Sequence, residues 1–211
     1  MKVTLFGATG KIGRYLIDEG LSRGMDLTVF ARSDSPFQDP NVHVIRGDLA
    51  DLALLRQAIR GSGAVLSALG PTALRHPSDL PITRAADAVI SAMKQEGVTR
   101  LIAISTGTAP DSADAPDPRI TIPAKLIKVV MPSAYRDIIG LASSIRASGL
   151  DWTMVRVAFL KDGPALNRLN VGLYGHTKHS MTVRRADVAK FMFDQLEVRE
   201  FIRNAPGISA H

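Results

Sequence analysis

The chain has 211 residues, of which 26 are lysine or arginine and 20 are aspartate or glutamate, so its formal net charge is +6. No cysteine is present, which excludes disulfide bonds, thiolate-bound metal ions and cysteine nucleophiles. The basic residues are scattered, with few aromatic residues between them, so we expect a solvated basic surface and no nucleic-acid partner.

The length fits one α/β domain over residues 1–211, and the sequence shows no repeat and no convincing linker. No apolar run approaches the length of a membrane helix, and the first residues lack the cleavage site of a secretory leader. We therefore expect a soluble, cytoplasmic protein with no membrane partner. The oligomeric state is left open between monomer and dimer.

The apolar run that begins at Lys2 breaks into three glycines, Gly7, Gly10 and Gly13, and an apolar spacing typical of a helix follows. A buried strand that turns into a helix presents free backbone amides and the positive end of the helix dipole. We expect Gly7 to allow the tight turn, Gly10 the close approach of a pyrophosphate, and Gly13 the packing of helix on strand. The alternative is an ordinary strand-to-helix turn. The loop assigned to nucleotide binding comprises Gly7, Thr9, Gly10, Lys11, Ile12 and Gly13.

A second strand is predicted over residues 25–31, and Arg32 and Ser33 follow it. An acidic residue at this place selects NAD, whereas an arginine favours the 2′-phosphate of NADP. Arg32 is therefore expected to bind that phosphate, with added positive charge from Lys11. The alternative is a surface arginine in a loop.

A third strand is predicted over 42–46, followed by Asp48 and Leu49, and a helix over 51–60. Asp48 either accepts a hydrogen bond from an adenine amino group or begins a turn. The apolar run 64–69 resembles a central parallel strand that is buried on both faces. Its end should border the glycine loop, so we expect the cofactor cleft to be lined by Ala68, Leu69 and Gly70.

After a proline-rich loop at 71–81, a helix is predicted over 82–96 and a fifth strand over 99–104. Ser105 follows that strand directly, where open α/β sheets contact their ligands. We expect Ser105 either to orient a substrate atom or only to cap the next turn. Residues 109–123 are predicted to be an irregular, mobile lid, and residues 125–131 to pack on the core.

The last part of the chain has a predicted helix over 135–148, a sixth strand over 151–157 and a helix that ends at Leu196. Trp152 is expected in the core, and Phe159 either in a nicotinamide pocket or in the core. Residues 161–180 are predicted to be a loop that sets substrate specificity. His176 and His179 lack a third ligand, so no metal site is expected. The tail after residue 204 is expected to fray.

The alternation of strands and helices predicts a single doubly wound Rossmann-type domain, with a mostly parallel sheet covered by helices on both faces. At this level the chain resembles the atypical short-chain dehydrogenase/reductase families, in particular the NAD(P)H-binding group that contains biliverdin-IXβ/flavin reductase and the nitrogen-metabolite-repression regulator type. The matching segments are Gly7-Ala-Thr-Gly10-Lys-Ile-Gly13, Arg32, Gly47-Asp48-Leu49, Ser148-Gly-Leu-Asp-Trp-Thr153, Val155-Arg156 and Arg185-Ala-Asp-Val-Ala189.

The resemblance implies an NADPH site that uses the glycine loop, Arg32 and Asp48, with Ser105 near the nicotinamide. Typical short-chain dehydrogenases also use a helical Tyr-x-x-x-Lys pair. Here Tyr135 has Ile139 at the lysine position, and the formal match from Tyr174 to Lys178 lies in a loop, so we interpret it as chance. The flavin-reductase type carries a histidine at the place that resembles Phe159, so the same substrate is not implied.

These observations predict an NADPH-dependent reductase of a small acceptor such as a flavin, a quinone or a carbonyl compound. Loops 71–81, 107–123 and 158–180 are expected to form its substrate region. The alternative is a regulatory protein that binds NADP(H) without turnover.

Overall fold

The computed structural model describes residues 1–71 and 75–211, and its central element is a sheet of eight strands. In chain order the strands are β1 (Lys2–Phe6), β2 (Asp26–Arg32), β3 (His43–Gly47), β4 (Ala64–Ser67), β5 (Arg100–Thr106), β6 (Asp151–Val157), β7 (Phe159–Lys161), β8 (Leu169–Gly172), β9 (Thr182–Arg184) and β10 (Gly207–Ala210). The main sheet has the order β3-β2-β1-β4-β5-β6-β10-β8, and β7 pairs with β9 in a separate two-stranded sheet.

Helices cover both faces of the main sheet. They are α1 (Gly13–Ser22), α2 (Leu52–Ile59), α3 (Pro81–Gln95), α4 (Pro118–Val130), α5 (Pro132–Ala147) and α6 (Arg185–Asp194). The buried side chains of α2, α3 and α5 form one core cluster with one face of the sheet, and those of α1 and α6 form a second cluster with the other face. The predicted Rossmann-type domain is therefore confirmed.

The strand order reverses between β1 and β4, and this reversal sets the position of the site. Helix α1 leaves the end of β1 on one face of the sheet, whereas α3 leaves the end of β4 on the other. The crevice between two such crossovers lies at the carboxyl ends of the strands and is where open α/β sheets bind ligands. Both strands are deeply buried, as their continuous apolar sequences predicted, with Leu5 and Leu66 fully inaccessible.

The expectation of a frayed tail was wrong. Strand β10 lies inside the sheet, parallel to β6 and antiparallel to β8, and Ile208 is buried in the second core cluster. Strand β8 likewise lies within the segment 161–180 that the sequence predicted to be a loop. Four-residue strands that pair with distant segments carry little local signal, which is why both were missed.

The segment from 109 to 131 also differs from the expectation. Helix α4 begins at Pro118, within the predicted irregular lid, and no residue of α4 is buried, so residues 125–131 do not pack on the core. Asp117 caps this helix by accepting the amide hydrogen of Arg119 at 2.9 Å. Trp152 does lie in the core, as predicted.

No helix within the described residues is long and apolar enough to cross a bilayer.

Candidate functional site

The loop between β1 and α1 has the tight glycine turn that the sequence predicted. Gly7 has a φ of +74°, and a Cβ there would lie 2.6 Å from the carbonyl oxygen of Ala68 on β4's continuation. The amide of Gly10 donates to the carbonyl of Gly7 at 3.1 Å, and the amide of Gly13 donates to that of Gly10 at 2.9 Å. Only a residue without a side chain fits between the turn and the neighbouring strand end.

The two other glycines have different neighbours. A Cβ at Gly13 would lie 1.6 Å from the carbonyl oxygen of Ala8, so Gly13 is required by the turn itself rather than by packing of the helix on the strand. A Cβ at Gly10 would meet only the carbonyl oxygen of Gly7, at 3.3 Å, and otherwise points into open space. Gly10 therefore keeps space free for something outside the protein, whereas Gly13 maintains the fold.

The N-terminus of α1 is suited to an anion. Its N-cap residue, Ile12, has no side-chain hydrogen bond to the first-turn amides. Those amides and the helix dipole favour negative charge, and no acidic residue occupies the first turn. This observation supports a pyrophosphate-sized ligand at the loop.

A cavity of about 280 Å³, which we call the glycine-loop cavity, opens beside this turn. It brings together several predicted site residues from the ends of β1, β2 and β4. Its lining residues are Gly7, Thr9, Gly10, Phe30, Arg32, Leu49, Ala68, Leu69, Gly70, Pro81, Ile82 and Ala85. The last three come from the first turns of α3: Pro81 ends the predicted substrate loop 71–81, whereas Ile82 and Ala85 were not assigned to the site by the sequence analysis.

A second cavity, of about 560 Å³, adjoins the first and shares Arg32 and Leu49 with it. We call it the arginine cavity because Arg32 and Arg84 both line it, together with Ser33 and Asp48. Arg32 has Asp34 3.7 Å from its Nε, and Arg84 pairs with Asp79. All four of these paired side chains are more than half exposed, so the pairs are weak and an incoming dianion can replace either carboxylate.

Arg84 is a candidate that sequence reasoning missed. It lies one turn into α3, and α3 follows the strand whose end borders the cleft. This position in the sequence could have indicated that Arg84 lies near the cleft. It could not have shown that Arg84 lines the same cavity as Arg32, because that depends on how α3 packs over the sheet.

Asp48 uses one carboxylate oxygen locally, because Oδ1 accepts the amide hydrogen of Ala50 at 2.8 Å. This contact fits the expectation that Asp48 begins a turn. Because Asp48 also lies in the wall of the arginine cavity, its other carboxylate oxygen can accept a hydrogen bond from a ligand. Lys11 is exposed and lines neither of the two cavities. Ile12 is buried beneath the loop, so it supports the turn from below.

A third cavity, of about 140 Å³, lies farther along the same edge of the sheet, at the ends of β5 and β6. We call it the apolar cavity, since its exposed lining is almost wholly carbon and, within residues 1–71 and 75–211, contains no titratable side chain. Its lining residues are Thr106, Gly107, Thr108, Ile120, Pro123, Ile127, Ile138, Val157, Ala158, Phe159 and Met181. Phe159 is 66% exposed at its rim, so it does not fill the core.

The structure does not bring Ser105 to any of these three cavities. Its side chain is 3% exposed, and its Oγ is buried without a hydrogen-bond partner among the described residues. The alternation of β5 turns the next residue, Thr106, toward the opposite face, where it lines the apolar cavity and its hydroxyl contacts that of Thr108. Thr106 is a second residue that the sequence analysis missed.

The first turn of α3 is held by a carboxylate from α5. Asp137 is fully buried, and its carboxylate accepts the amide hydrogens of Ile82 at 3.0 Å and Thr83 at 2.8 Å. It also accepts hydrogen bonds from the Thr83 hydroxyl at 2.6 Å and from His76 Nε2 at 2.7 Å. Burial raises the pKa of Asp137, but the hydrogen bonds from Thr83, His76 and the two amides outweigh it and hold the pKa below its usual range. An ionised carboxylate thus fixes one wall of the glycine-loop cavity.

The formal Tyr-x-x-x-Lys match does not form a catalytic pair. Tyr174 is buried and donates its hydroxyl hydrogen to the carbonyl of Arg156 at 3.2 Å, whereas Lys178 is exposed. Burial raises the pKa of Tyr174 to about 12, the opposite of what a proton-donating tyrosine needs. This geometry fits the interpretation of the match as chance.

Within the described residues, no three histidine, aspartate or glutamate side chains are grouped as metal ligands. His176 is exposed, and His179 is buried edge-on against Tyr174, with ring centroids 4.8 Å apart.

Comparisons with known proteins show the family and the fold of this chain. A family model described as NAD(P)H-binding matches residues 7–199. The uncharacterized protein YwnB of Bacillus subtilis is 27% identical over 205 residues, which cover 93% of this chain and 92% of that protein.

Two solved structures share the fold. A short-chain dehydrogenase/reductase from Veillonella parvula in complex with NADP has a TM-score of 0.77 at 21% identity, covering 99% of this chain and 94% of that chain. ChuY of Escherichia coli O157:H7, described as an anaerobillin reductase, has a TM-score of 0.76 at 21% identity, covering 100% and 97%. The matched region of the family model runs from the first glycine of the loop to beyond α6, and the chain therefore belongs to the NAD(P)H-binding family.

Proposed function

We propose that the protein is an NADPH-dependent oxidoreductase that transfers hydride to a small acceptor, such as a flavin, a quinone or a carbonyl compound. The observation that carries this proposal is the alignment of two cavities along one edge of the sheet. The glycine-loop cavity lies at the ends of β1 and β4, and the apolar cavity lies at the ends of β5 and β6. A dinucleotide that starts at the glycine loop and follows this edge would bring its nicotinamide to the apolar cavity.

The preference for NADPH rests on the arginine cavity. Arg32 and Arg84 offer two guanidinium groups to a 2′-phosphate, and Ser33 adds a hydroxyl beside them. The solved relative from Veillonella parvula is crystallised with NADP, which supports the same coenzyme here.

NADPH supplies the hydride when it is bound. The chain's own contribution is to bind, to orient and to exclude water: the aliphatic walls of the apolar cavity keep water out, and the hydroxyls of Thr106 and Thr108 can position a polar atom of the acceptor. Because the described residues that line that cavity carry no titratable side chain, the favoured acceptors are those that need little protonation by the protein. The contact of Ser105 with the acceptor stays a prediction. The lining of the apolar cavity favours Thr106 for that contact.

The substrate region that we propose comprises loops 71–81, 107–123 and 158–180. Residues of the second and third loops line the apolar cavity. Part of the first loop, residues 72–74, lies outside the described residues. A cytoplasmic location, predicted from the sequence, fits a reductase supplied with NADPH.

One observation favours a second function, a regulatory protein that binds NADP(H) without turnover. Among the residues that the structure describes, neither a Tyr–Lys pair nor any other acid–base group lines the apolar cavity. The purified protein would be assayed for NADPH oxidation with flavins, quinones and aldehydes, with calorimetry of NADPH and NADH binding in parallel. Turnover with one acceptor class supports the oxidoreductase. Tight NADPH binding without oxidation would leave the regulatory function, and no binding would remove both.

A further inference from the structure

The outer side of α4 is an exposed apolar stripe. Ile122, Leu126, Val129 and Val130 are each more than 60% exposed, and their spacing of four, three and one places them along one side of the helix. Patches of this kind on a protein surface usually mark a site of interaction with another surface.

The part of the chain that carries this stripe is also basic. Residues 118–136, which we call the α4 face, contain Arg119, Lys125, Lys128 and Arg136 and no acidic residue. These nineteen residues thus supply +4 of the net charge of +6, which leaves +2 for the remainder of the chain. All four cations are exposed, and none pairs with a described carboxylate. The basic residues are therefore less evenly distributed than the sequence analysis expected.

We propose that the α4 face docks onto an anionic lipid surface, with the aliphatic stripe in the interface and the exposed cations of this basic segment attracted to the headgroups. Helices that lie in a membrane interface combine apolar side chains with flanking lysine and arginine, and nearby cations add attraction to anionic lipids. The expectation of no membrane partner rested on the lack of a spanning segment, which has no bearing on peripheral docking.

Two other occupants fit the face less well. A second copy related by a two-fold axis would bring the same patch against itself, so four cations would face four cations. An acidic protein would need a groove to receive a convex helix that exposes aliphatic groups from Ile122 to Val130. A lipid interface accepts a convex apolar helix without such a groove.

The inner side of α4 adds a structural link to the site. Ile120, Pro123 and Ile127 line the apolar cavity, and the exposed ring of Phe159 lies on the same cavity. Docking through the outer side would bring the mouth of that cavity close to the lipid. The docking itself does not depend on the proposed reductase activity.

The test is flotation of the full chain with vesicles of phosphatidylcholine alone or mixed with phosphatidylglycerol. We expect binding to the mixed vesicles, weakening as salt is added. Leu126→Glu with Val129→Glu should abolish it, and Lys125→Gln with Lys128→Gln should weaken it by about fivefold per cation. Val198→Glu is the matched control, since Val198 is an exposed aliphatic outside the α4 face, and should bind as the unchanged chain does.

Far-ultraviolet circular dichroism reports separately whether each variant is folded. Absence of binding to the mixed vesicles would overturn the proposal, as would equal, salt-independent binding to both vesicle types. A dimer in analytical ultracentrifugation that Leu126→Glu dissociates, without vesicle binding, would assign the face to a second copy instead.

Discussion

The guanidinium of Arg156, which is fully buried, donates to both carboxylate oxygens of Asp114, at 2.5 Å and 2.6 Å. Asp114 also accepts the amide hydrogens of Asp111 and Tyr174, and Arg156 Nε donates to the carbonyl of Ala205 at 2.7 Å. One ion pair thus joins the segment before α4, the segment after β8 and the approach to β10. The first part of the predicted mobile lid is anchored to the sheet at this pair.

Replacement of Asp114 by asparagine should destabilise the protein by about 3–5 kcal/mol, because it leaves the buried Arg156 charge without its partner. The measurement is urea unfolding followed by circular dichroism. Asp162→Asn is the matched control: Asp162 pairs with Arg185 but is 77% exposed, so its loss should cost at most about 1 kcal/mol. Equal losses of unfolding free energy in the two variants would show that the buried ion pair stabilises the protein no more than the exposed one.

Stability should fall as the solution is acidified. Burial raises the pKa of Asp114, but the hydrogen bonds and charge of Arg156 outweigh it, so the pKa lies below its usual value, as does that of Asp137. Carboxylates with lowered folded pKa values contribute stability above their unfolded pKa, about 4, and lose it as the pH falls through the folded pKa. Burial lowers the pKa of His179, so its protonation opposes folding below about pH 6.5.

Urea midpoints at a series of pH values check this prediction. The Asp114→Asn variant should show a shallower decline below about pH 4 than the unchanged chain, since one of the two carboxylates is gone. An identical slope in both proteins would contradict the assignment to Asp114.

Two alanine substitutions in the glycine loop should have separable effects. Gly10→Ala adds a Cβ that meets no protein atom closer than 3.3 Å, so we expect near-normal stability and NADPH binding weakened at least about tenfold. Gly13→Ala forces a Cβ into the carbonyl of Ala8 and should destabilise the fold by about 3 kcal/mol or more. Thermal unfolding and calorimetry measure the two effects, and normal NADPH affinity in Gly10→Ala would place the pyrophosphate elsewhere.

Charge removal in the arginine cavity should change coenzyme preference. Arg32→Asp should weaken NADPH far more than NADH, because a carboxylate repels the 2′-phosphate. Arg84→Gln should weaken NADPH by about tenfold and leave NADH nearly unchanged, since a charged hydrogen bond contributes about 1.5–3 kcal/mol. Affinities for both coenzymes are compared, with Lys94→Gln as an exposed control on the same helix. Equal losses of affinity for NADPH and NADH would show that neither arginine contacts the 2′-phosphate.

Ser105 and Thr106 are neighbouring hydroxyl residues at the carboxyl end of β5, and substitutions can show which of them contacts the acceptor. Thr106→Val keeps the shape and removes a hydroxyl from the apolar cavity, so kcat/KM for the acceptor should fall about tenfold or more. Ser105→Ala removes a buried hydroxyl without a partner, so stability should be unchanged or higher and turnover should fall less. A larger loss of turnover in Ser105→Ala than in Thr106→Val would show that Ser105, and not Thr106, contacts the acceptor.

The sequence was informative where the signal is local. The run from Lys2 through Gly13 contains strand, turn and helix in one continuous pattern, and the structure has all three there. The ends of β2 and β4 could be placed for the same reason, because the doubly wound topology brings the ends of neighbouring parallel strands to one edge.

The misses have a common physical cause, which is that they depend on contacts between distant segments. Arg84 approaches Arg32 only because α3 packs over the strand ends, and Thr106 faces the apolar cavity only because β5 begins in a particular register. Helix α4 was obscured by its prolines and by aliphatic residues on both of its sides, which hide the usual helical periodicity.

Strand β8 joins the main sheet solely through β10 within the described residues. As the nascent chain leaves the ribosome, β1 to β6 can pair in order, but β8 has no neighbour until residues 207–210 emerge. The pairing of β8 must then form late, after residues 207–210 of β10 have been translated. A ribosome stalled before residue 207 would therefore carry a sheet that already holds its glycine loop but leaves β8 unpaired.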